Sequence, residues 1–200
     1  MTDVIGTYQE VASEWEAARL RTLFEKPWLG RMTAGLGRGA RILDLGCGAG
    51  EPIAAYLIAQ GFAVTGVDGA PAMIEICRTR WPGGDWRVAD MRGLGLGERF
   101  DAVMAWNSFF HLTADEQREA LPRIAAHVAT GGRLMATVGP DSGDVTGTVA
   151  GRTVPHSSLR LSEYAALLEG AGMLVRRFTA DDPDCSGHTV LLAERRKDSP

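Results

Sequence analysis

A short apolar segment followed by closely spaced glycines constrains the fold of this 200-residue chain more than any other feature. Residues 40–45 are mainly apolar, and residues 46–50 then carry a glycine at every second position. The next segment, about 51–60, suits a helix in which Pro52 occupies the first turn and Gly61 ends it. The pattern predicts a strand, a tight loop and a helix, with glycines that let the backbone come close to a ligand.

Apolar segments alternate with helix-length segments along the rest of the chain, which is typical of βαβ units on a mostly parallel sheet. We predict further strands at 63–67, 86–89, 100–105, 133–138, 174–180 and 188–194, and further helices within 8–35 and at 71–81, 113–129 and 162–170. Thr113 with Glu116 three residues later predicts a capping box. The expected fold is therefore α/β, a Rossmann-like, doubly wound sheet of seven strands. It is mostly parallel with an antiparallel last strand, and helices cover both faces.

The length of the chain suits a single domain, residues 1–200. Within it we expect a helical cap over residues 1–38 and a Rossmann-like core over 39–195. Residues 139–160 are rich in Gly, Ser, Thr and Asp and lack a helical period, so they predict a loop on the substrate side of the core.

The residues around the glycines distinguish between two kinds of ligand. A dinucleotide loop needs G-x-G-x-x-G, but the glycines here are spaced G-x-G-x-G, and Glu51 stands at the third dinucleotide position. A carboxylate there opposes a pyrophosphate, and Asp44 at the strand end suits a cationic ligand. S-adenosylmethionine carries an ammonium, a carboxylate and a sulfonium. These features therefore favour S-adenosylmethionine over a nicotinamide dinucleotide.

Four segments together resemble the motifs of the class I S-adenosylmethionine-dependent methyltransferases, in that family's order and approximate spacing. They are ILDLGCGAG at 42–50, VTGVDGAPAMI at 64–74, VADM at 88–91 and FDAVMAWNSFFHL at 100–112. The resemblance spans roughly residues 40–195. It implies transfer of a methyl group by in-line displacement to an O, N or S nucleophile of a small molecule. Two alternatives stay open: a module that binds the cofactor without catalysis, and, less favoured, a nicotinamide-dependent oxidoreductase.

The resemblance also implies contacts to S-adenosylmethionine, residue by residue. Asp44 should reach the methionine amino group, and Asp68 can accept from both ribose hydroxyls. An aspartate at a strand end can equally serve as a turn or helix cap. The other implied contacts are Gly46 and Gly48 through their backbone, Met73 and Met91 at the adenine, Asp90 at the adenine amino group, and Trp106 and Asn107 in the pocket wall.

Two histidines are candidates for catalysis, and an N-terminal tyrosine is a candidate for contact with the cofactor. His111 follows the fourth strand and His156 lies in the polar segment, so each is a candidate general base or substrate-orienting residue. His111 can equally be a helix-entry residue that bonds a backbone carbonyl. Tyr8 and Trp15 share one face if their segment is helical. We expect Trp15 to dock that helix on the sheet, and for Tyr8 we leave open docking or packing on the sulfonium.

Composition limits the classes of substrate and binding partner that we expect. The formal charge of −4 and a pI near 5.6 give no basic footprint for nucleic acid. The sequence WNSFF at 106–110 lacks both the motif of DNA amino-methyltransferases and the aspartate of metal-dependent catechol enzymes, so we expect no metal site. The N-terminal segment has no secretory pattern, and no apolar run reaches the length of a membrane span. We expect a cytoplasmic protein with a small-molecule substrate, and the composition does not indicate an oligomeric state.

Overall fold

The computed structural model describes residues 3–197, which form six α-helices and nine β-strands. The helices are α1 (Val4–Ala18), α2 (Lys26–Thr33), α3 (Ile53–Ala59), α4 (Pro71–Arg80), α5 (Ala114–Ala126) and α6 (Leu161–Gly170). The strands are β1 (Arg41–Leu45), β2 (Ala63–Asp68), β3 (Asp85–Val88), β4 (Phe100–Ala105), β5 (Val128–Val138), β6 (Gly143–Val149), β7 (Arg152–Ser158), β8 (Met173–Asp182) and β9 (His188–Arg195). Residues 1–2 and 198–200 of the predicted domain lie outside the described part.

Seven of the strands form one sheet in the order β3-β2-β1-β4-β5-β9-β8. The first five run parallel, and β9 pairs antiparallel with both β5 and β8. This confirms the predicted Rossmann-like sheet with one antiparallel strand. The strand order reverses at β1 and β4, and in such sheets ligands bind beyond the carboxyl ends of the strands at that point.

Alternate residues of β1 pack into the two hydrophobic layers that cover the sheet. Leu43 and Leu45 belong to the layer with α5 and α6, whereas Ile42 belongs to the layer with α2 and α3. All three side chains are fully buried, as expected for a central strand of a parallel sheet. The strand therefore has no freedom to shift its register, and it delivers Asp44 to the carboxyl edge in a fixed position.

The N-terminal segment, predicted as helical over residues 8–35 with interruptions at Pro27 and Gly30, contains two helices. The break lies earlier than predicted, because α1 ends at Ala18 and the backbone at Arg19 is extended. The second helix begins only at Lys26, with Pro27 in its first turn, where the missing N–H costs no hydrogen bond.

The prediction of a loop over residues 139–160 is wrong. Seven residue pairs, from Gly143 with Ser158 to Val149 with Arg152, join β6 and β7 into a hairpin. Its two-residue turn places both Ala150 and Gly151 at positive φ, 47° and 74°, as the tightest hairpin turns require. Residues 143–146 and 148 are exposed, so β6 lacks the alternation of apolar and polar residues that would have indicated a strand.

The capping box at the start of α5 is confirmed. The N–H of Glu116 donates to Thr113 Oγ1 over 3.3 Å, and the N–H of Thr113 donates to Glu116 Oε2 over 2.8 Å. This helix ends at Ala126, earlier than predicted, because β5 already begins at Val128. The Gly131–Gly132 pair lies within that strand, where its register against β4 shifts.

A buried polar network connects α5 and α6 to the base of the hairpin. The Tyr164 hydroxyl donates to Gln117 Oε1 over 2.6 Å and accepts from the N–H of Leu159 over 3.0 Å. The Gln117 amide donates in turn to the carbonyls of Leu112 and Ser157 over 2.9 and 2.7 Å. The side chains of Gln117 and Tyr164 are at most 1% exposed, so water cannot replace a lost partner.

We expect Tyr164→Phe to lower the free energy of unfolding by about 1–3 kcal/mol, because it leaves buried acceptors and donors unpaired. Urea unfolding followed by circular dichroism measures this difference. Tyr56→Phe is the matched control, since the Tyr56 hydroxyl bonds no other described residue, and it should stay within about 0.5 kcal/mol of the parent. Equal stabilities of the two variants would contradict the role of the network.

Candidate functional site

A cavity of about 410 Å³ opens at the carboxyl ends of β1, β2 and β4, against the inner face of α1. All twelve residues proposed from the sequence line it. They are Tyr8, Asp44, Gly46, Gly48, Asp68, Met73, Asp90, Met91, Trp106, Asn107, His111 and His156. The fold thus brings these residues to one place, and the role of each stays a prediction.

The glycine loop is shaped so that side chains are excluded from it. Gly46, Gly48 and Gly50 have φ of 70°, 54° and 79°, a region that residues with a Cβ rarely adopt. A Cβ on Gly46 would lie 2.3 Å from the Cβ of Ser108, and one on Gly48 would lie 3.0 Å from the Trp15 ring. The loop is therefore packed closely from both sides, and its backbone lies directly against the cavity.

Two acids, the buried Asp44 and the half-buried Asp68, lie beside this loop. The Asp68 carboxylate accepts from the N–H of Gly48 over 2.9 Å and from the N–H of Ala70 over 2.8 Å, so it connects the loop to the end of β2. Burial raises the pKa of Asp68 and these two hydrogen bonds oppose the rise. Each oxygen keeps further acceptor capacity for a ligand.

Asp44 is only 3% exposed, and none of the other described residues donates a hydrogen bond to its side chain. Burial, and then the nearby Asp68, raise the pKa of Asp44 to about 7, while Arg19 acts in the opposite direction. A buried carboxylate without a close partner is unfavourable. The site is therefore suited to a ligand that brings a positive charge to Asp44.

The residues predicted to contact adenine lie along one side of the cavity. Met73 is 1% exposed and packs in a small cluster with Ala49 and Ala70. Asp90 accepts from the backbone N–H of Arg92 over 2.9 Å and pairs with its guanidinium. Burial alone would raise the pKa of Asp90, but the hydrogen bonds from Arg92 hold it below its ordinary value. Asp90 is thus an ionised turn cap that shares its charge with an arginine.

Trp106 and Asn107 form the wall beyond β4. Trp106 stacks on His188 with ring centroids 5.6 Å apart. Asn107 has a positive φ of 51°, and its N–H donates to Thr137 Oγ1 over 2.7 Å, which ties this turn to β5. Trp106 Nε1 and Asn107 Oδ1 are buried and have no hydrogen-bond partner among residues 3–197.

His111 connects the hairpin to α1 through both ring nitrogens. Its Nδ1 lies 3.1 Å from the carbonyl oxygen of Pro155, which can only accept, so Nδ1 carries the hydrogen. In the neutral ring Nε2 is then the acceptor, and the Tyr8 hydroxyl donates to it over 3.1 Å. The sequence left a carbonyl-bonding role and a substrate-facing role open for His111, and the geometry is compatible with both.

Burial keeps both partners of this contact uncharged near neutral pH. It lowers the pKa of His111 to about 4, an effect that the Pro155 carbonyl opposes and His156 reinforces. It also raises the pKa of Tyr8 to about 12, with Asp68 adding to the rise and Arg19 opposing it. His156, on the hairpin, lies with its ring 5.0 Å from that of His111, and burial lowers its pKa as well.

Sequence reasoning missed Arg19, which lines the cavity at the end of α1. Its guanidinium carbon lies 4.9 Å from the centroid of the Trp15 ring, and burial lowers its pKa. The four-residue spacing of Trp15 and Arg19 is a helical contact that could have indicated this pair. Trp15 packs in a cluster with residues of α1 and α4 rather than on the sheet, and it also faces the cavity.

Comparison with known proteins agrees with this geometry. Residues 42–132 match the family model described as a methyltransferase domain. A dTDP-4-amino-2,3,4,6-tetradeoxy-D-glucose N,N-dimethyltransferase of Saccharopolyspora spinosa is 28% identical over 149 residues, which are 71% of this chain and 59% of the relative. The O-methyltransferase cnsE of Penicillium expansum is 28% identical over 182 residues, 84% of this chain and 61% of the relative. The chain thus spans about three fifths of the length of these curated relatives.

Solved structures give the same result over almost the whole chain. The S-adenosylmethionine-bound CalS10, an amino pentose methyltransferase from Micromonospora echinaspora, superposes with a TM-score of 0.71 at 25% identity and covers 93% of this chain and 95% of its own. A putative methyltransferase in complex with the Haloferax volcanii Trm112 activator has a TM-score of 0.74 at 18% identity, covers 99% of each chain and shares the fold.

The fold and the cavity define a Rossmann-like protein with a cavity at the reversal of its strand order. By the match over residues 42–132 and by these relatives and structures, the chain is similar to S-adenosylmethionine-dependent methyltransferases. Within residues 3–197, no helix has both the length and the apolar character needed to cross a membrane.

We expect Asp44→Asn to change how the stability of the ligand-free protein depends on pH. The pKa of Asp44 is raised to about 7 in the folded state, so the folded protein holds this proton where the unfolded chain releases it. Its contribution to stability is therefore lost as the pH rises from about 4 to about 7. Urea unfolding across this range should show the decline in the parent protein and a smaller decline in Asp44→Asn.

The control for this variant is Asp144→Asn, because the Asp144 side chain is exposed on the hairpin and forms no hydrogen bond with another described residue. Its pH dependence should follow the parent. The titration of His111 acts on all three proteins alike, so it cancels in the comparison. Parallel curves for the parent and Asp44→Asn would contradict the burial of an unpaired carboxyl.

Proposed function

We propose that this protein is an enzyme that transfers the methyl group of S-adenosylmethionine to an O, N or S nucleophile of a small molecule. The observation that carries the proposal is the meeting of Asp44, Asp68 and Arg19 around one glycine loop in one cavity. When bound, the cofactor supplies a methyl group on a sulfonium, which is an electrophile with a good leaving group. The protein then has to orient the acceptor, exclude water and receive a proton.

The residues of the cavity fit this cofactor by their chemistry. Asp44 would accept from the ammonium of the methionine part, and a cation beside it would restore its ionised form. Arg19 would hold the methionine carboxylate with its planar fork of donors. Asp68 would accept from the ribose hydroxyls with the acceptor capacity that its two backbone hydrogen bonds leave free.

The remaining predicted contacts support the adenosine part. Met73 and Met91 would supply apolar contacts to the adenine, and Asp90 would accept from its amino group. Trp106 and Asn107 close the cavity on the side of β4. Tyr8 is held by its hydrogen bond to His111, which favours a role in closing α1 over the site rather than a free aromatic contact.

His111 is positioned to take a proton from the acceptor. Its Nε2 lacks a hydrogen, and the Pro155 carbonyl would stabilise the imidazolium that forms on protonation. A proton from an attacking hydroxyl can reach Nε2 directly once the Tyr8 hydroxyl yields its place, or through that hydroxyl. His156 lies close enough to orient the same group.

The acceptor is a small molecule rather than a nucleic acid, and the protein acts in the cytoplasm. The acidic pI and the lack of net positive charge support the first statement. Three buried cysteines with free thiols, Cys47, Cys77 and Cys185, are consistent with a reducing compartment.

Calorimetry with the cofactor tests the binding half of the proposal. S-adenosylmethionine and S-adenosylhomocysteine should bind, and NAD should not. Asp68→Ala should weaken the affinity for both ligands several-fold or more, because it removes charge-assisted hydrogen bonds. Asp144→Ala, on the exposed hairpin, should bind like the parent. Binding of NAD alone would overturn the assignment, and an unchanged affinity of Asp68→Ala would remove Asp68 from the site.

A methyltransfer screen over small phenols, amines, acids and thiols tests the catalytic half. With a hydroxyl acceptor, His111→Asn should lower kcat by about 100-fold or more near neutral pH and leave the affinity for S-adenosylmethionine unchanged. The loss should shrink as the pH approaches the pKa of the acceptor, because the acceptor then ionises without a base. No transfer to any acceptor in a protein that binds the cofactor would favour a non-catalytic binding module.

A further inference from the structure

A second groove, of about 440 Å³, lies beside the cofactor cavity. It runs between the β6–β7 hairpin and the ends of β5 and β9, and no sequence motif pointed to it. Three side chains, Phe110, His156 and His188, line both spaces. The two spaces therefore adjoin each other at these three side chains.

The volumes indicate why a second space is needed. Sites for single small molecules measure roughly 300–1,000 Å³. The cofactor cavity, at about 410 Å³, is at the lower end of this range, so one bound cofactor would occupy most of it. An acceptor could place its reacting atom beside Tyr8 and His111, but the rest of the molecule requires space outside the cofactor cavity. The adjoining groove is as large as the cavity itself.

The charges of the groove disfavour an anion. Among the described residues no lysine or arginine lines it, and its one ionisable acid is Asp141. Arg160 approaches from outside the lining, where its Nε lies 3.2 Å from Ser142 Oγ and 3.8 Å from Asp141 Oδ1. This arginine thus offsets Asp141 and leaves no uncompensated positive charge for a carboxylate or phosphate.

The groove offers hydrogen-bonding groups that the protein does not use. His188 Nδ1 lies 2.8 Å from the carbonyl oxygen of Cys185, so Nδ1 holds the hydrogen and Nε2 is an acceptor. This Nε2, both ring nitrogens of His156 and the hydroxyl of Ser157 bond no other described residue. None of these atoms is fully shielded from solvent, so a ligand in the groove can reach them.

We propose that this groove holds the part of the acceptor that is not methylated, and that this part is an uncharged ring carrying hydroxyl groups. Hydroxyls both donate and accept, so they satisfy the acceptor on His188 and the mixed groups of His156 and Ser157. The faces of Phe110 and of the neighbouring histidine rings provide the apolar surface against which a ring packs. The inference rests on the proposed methyltransferase function and specifies the class of acceptor.

The test uses the whole chain saturated with S-adenosylhomocysteine and two matched probes, methyl β-D-glucopyranoside and the corresponding methyl glucuronide. The probes differ in one carboxylate. Saturation-transfer NMR should show binding of the neutral glucoside and a signal from the anionic glucuronide that is at least about three-fold weaker.

Two hairpin variants locate the binding. Val145 lines the groove and is 67% exposed, so Val145→Trp should fold normally and obstruct the groove. Thr146 is exposed on the same strand and lines neither space, so Thr146→Trp is the matched control. The glucoside signal should fall at least about three-fold in Val145→Trp and remain in Thr146→Trp. Calorimetry should give the same affinity for S-adenosylhomocysteine in all three proteins.

Three outcomes would overturn the inference: no glucoside signal in the parent protein, an equal signal in Val145→Trp, or a glucuronide signal as strong as that of the glucoside. If the parent protein fails to bind S-adenosylhomocysteine, the proposed function itself is wrong. A parent that binds S-adenosylhomocysteine but neither probe contradicts only the acceptor class. With any acceptor that the methyltransfer screen identifies, Val145→Trp should raise the KM for the acceptor and leave the KM for S-adenosylmethionine unchanged.

Discussion

The Asp68 carboxylate accepts hydrogen bonds from the backbone N–H groups of Gly48 and Ala70, and through them it joins the carboxyl ends of β1 and β2. The glycine loop has left-handed backbone angles, and the N–H groups of Gly46 and Cys47 donate to the carbonyl of Val67 on β2. Asp68 adds a side-chain restraint at Gly48, and Ser108 and Trp15 fill the sides that a Cβ would otherwise occupy. These contacts fix the position of the loop at the edge of the sheet, and the cavity lies against its backbone.

The charges of the residues that line the cavity do not balance at Asp44, and this is consistent with a cationic ligand. Burial of Asp44 and then the neighbouring Asp68 carboxylate raise the pKa of Asp44. Arg19 is the cation that opposes this effect, and burial lowers its own pKa. A ligand with an ammonium and a carboxylate would supply a partner to each of these groups. Binding of such a ligand would therefore offset the free energy that the unpaired charges cost the folded protein.

Local patterns in the sequence predicted the parts of the molecule that depend on local interactions. The fourth strand, the capping box of Thr113 and the positions of the site residues at strand ends follow from apolar runs, turn residues and motif spacing. The β6–β7 hairpin could not be predicted in this way, because the exposed strand β6 is stabilised by backbone pairing and the turn has alanine where asparagine or aspartate would be expected. The second groove was missed because it arises from segments that meet only in the folded chain. Arg19 was missed although its four-residue spacing from Trp15 on α1 is a local signal.

The contact between Tyr8 and His111 can hold α1 over the cavity in either protonation state of the histidine. While Nε2 is unprotonated the Tyr8 hydroxyl donates to it, and once Nε2 carries a hydrogen the hydroxyl oxygen can accept instead. The two states differ in the direction of the hydroxyl hydrogen, which is free for another acceptor only when Nε2 is the donor. A proton that reaches His111 would therefore reorient one hydrogen inside the cavity without releasing the helix that covers it.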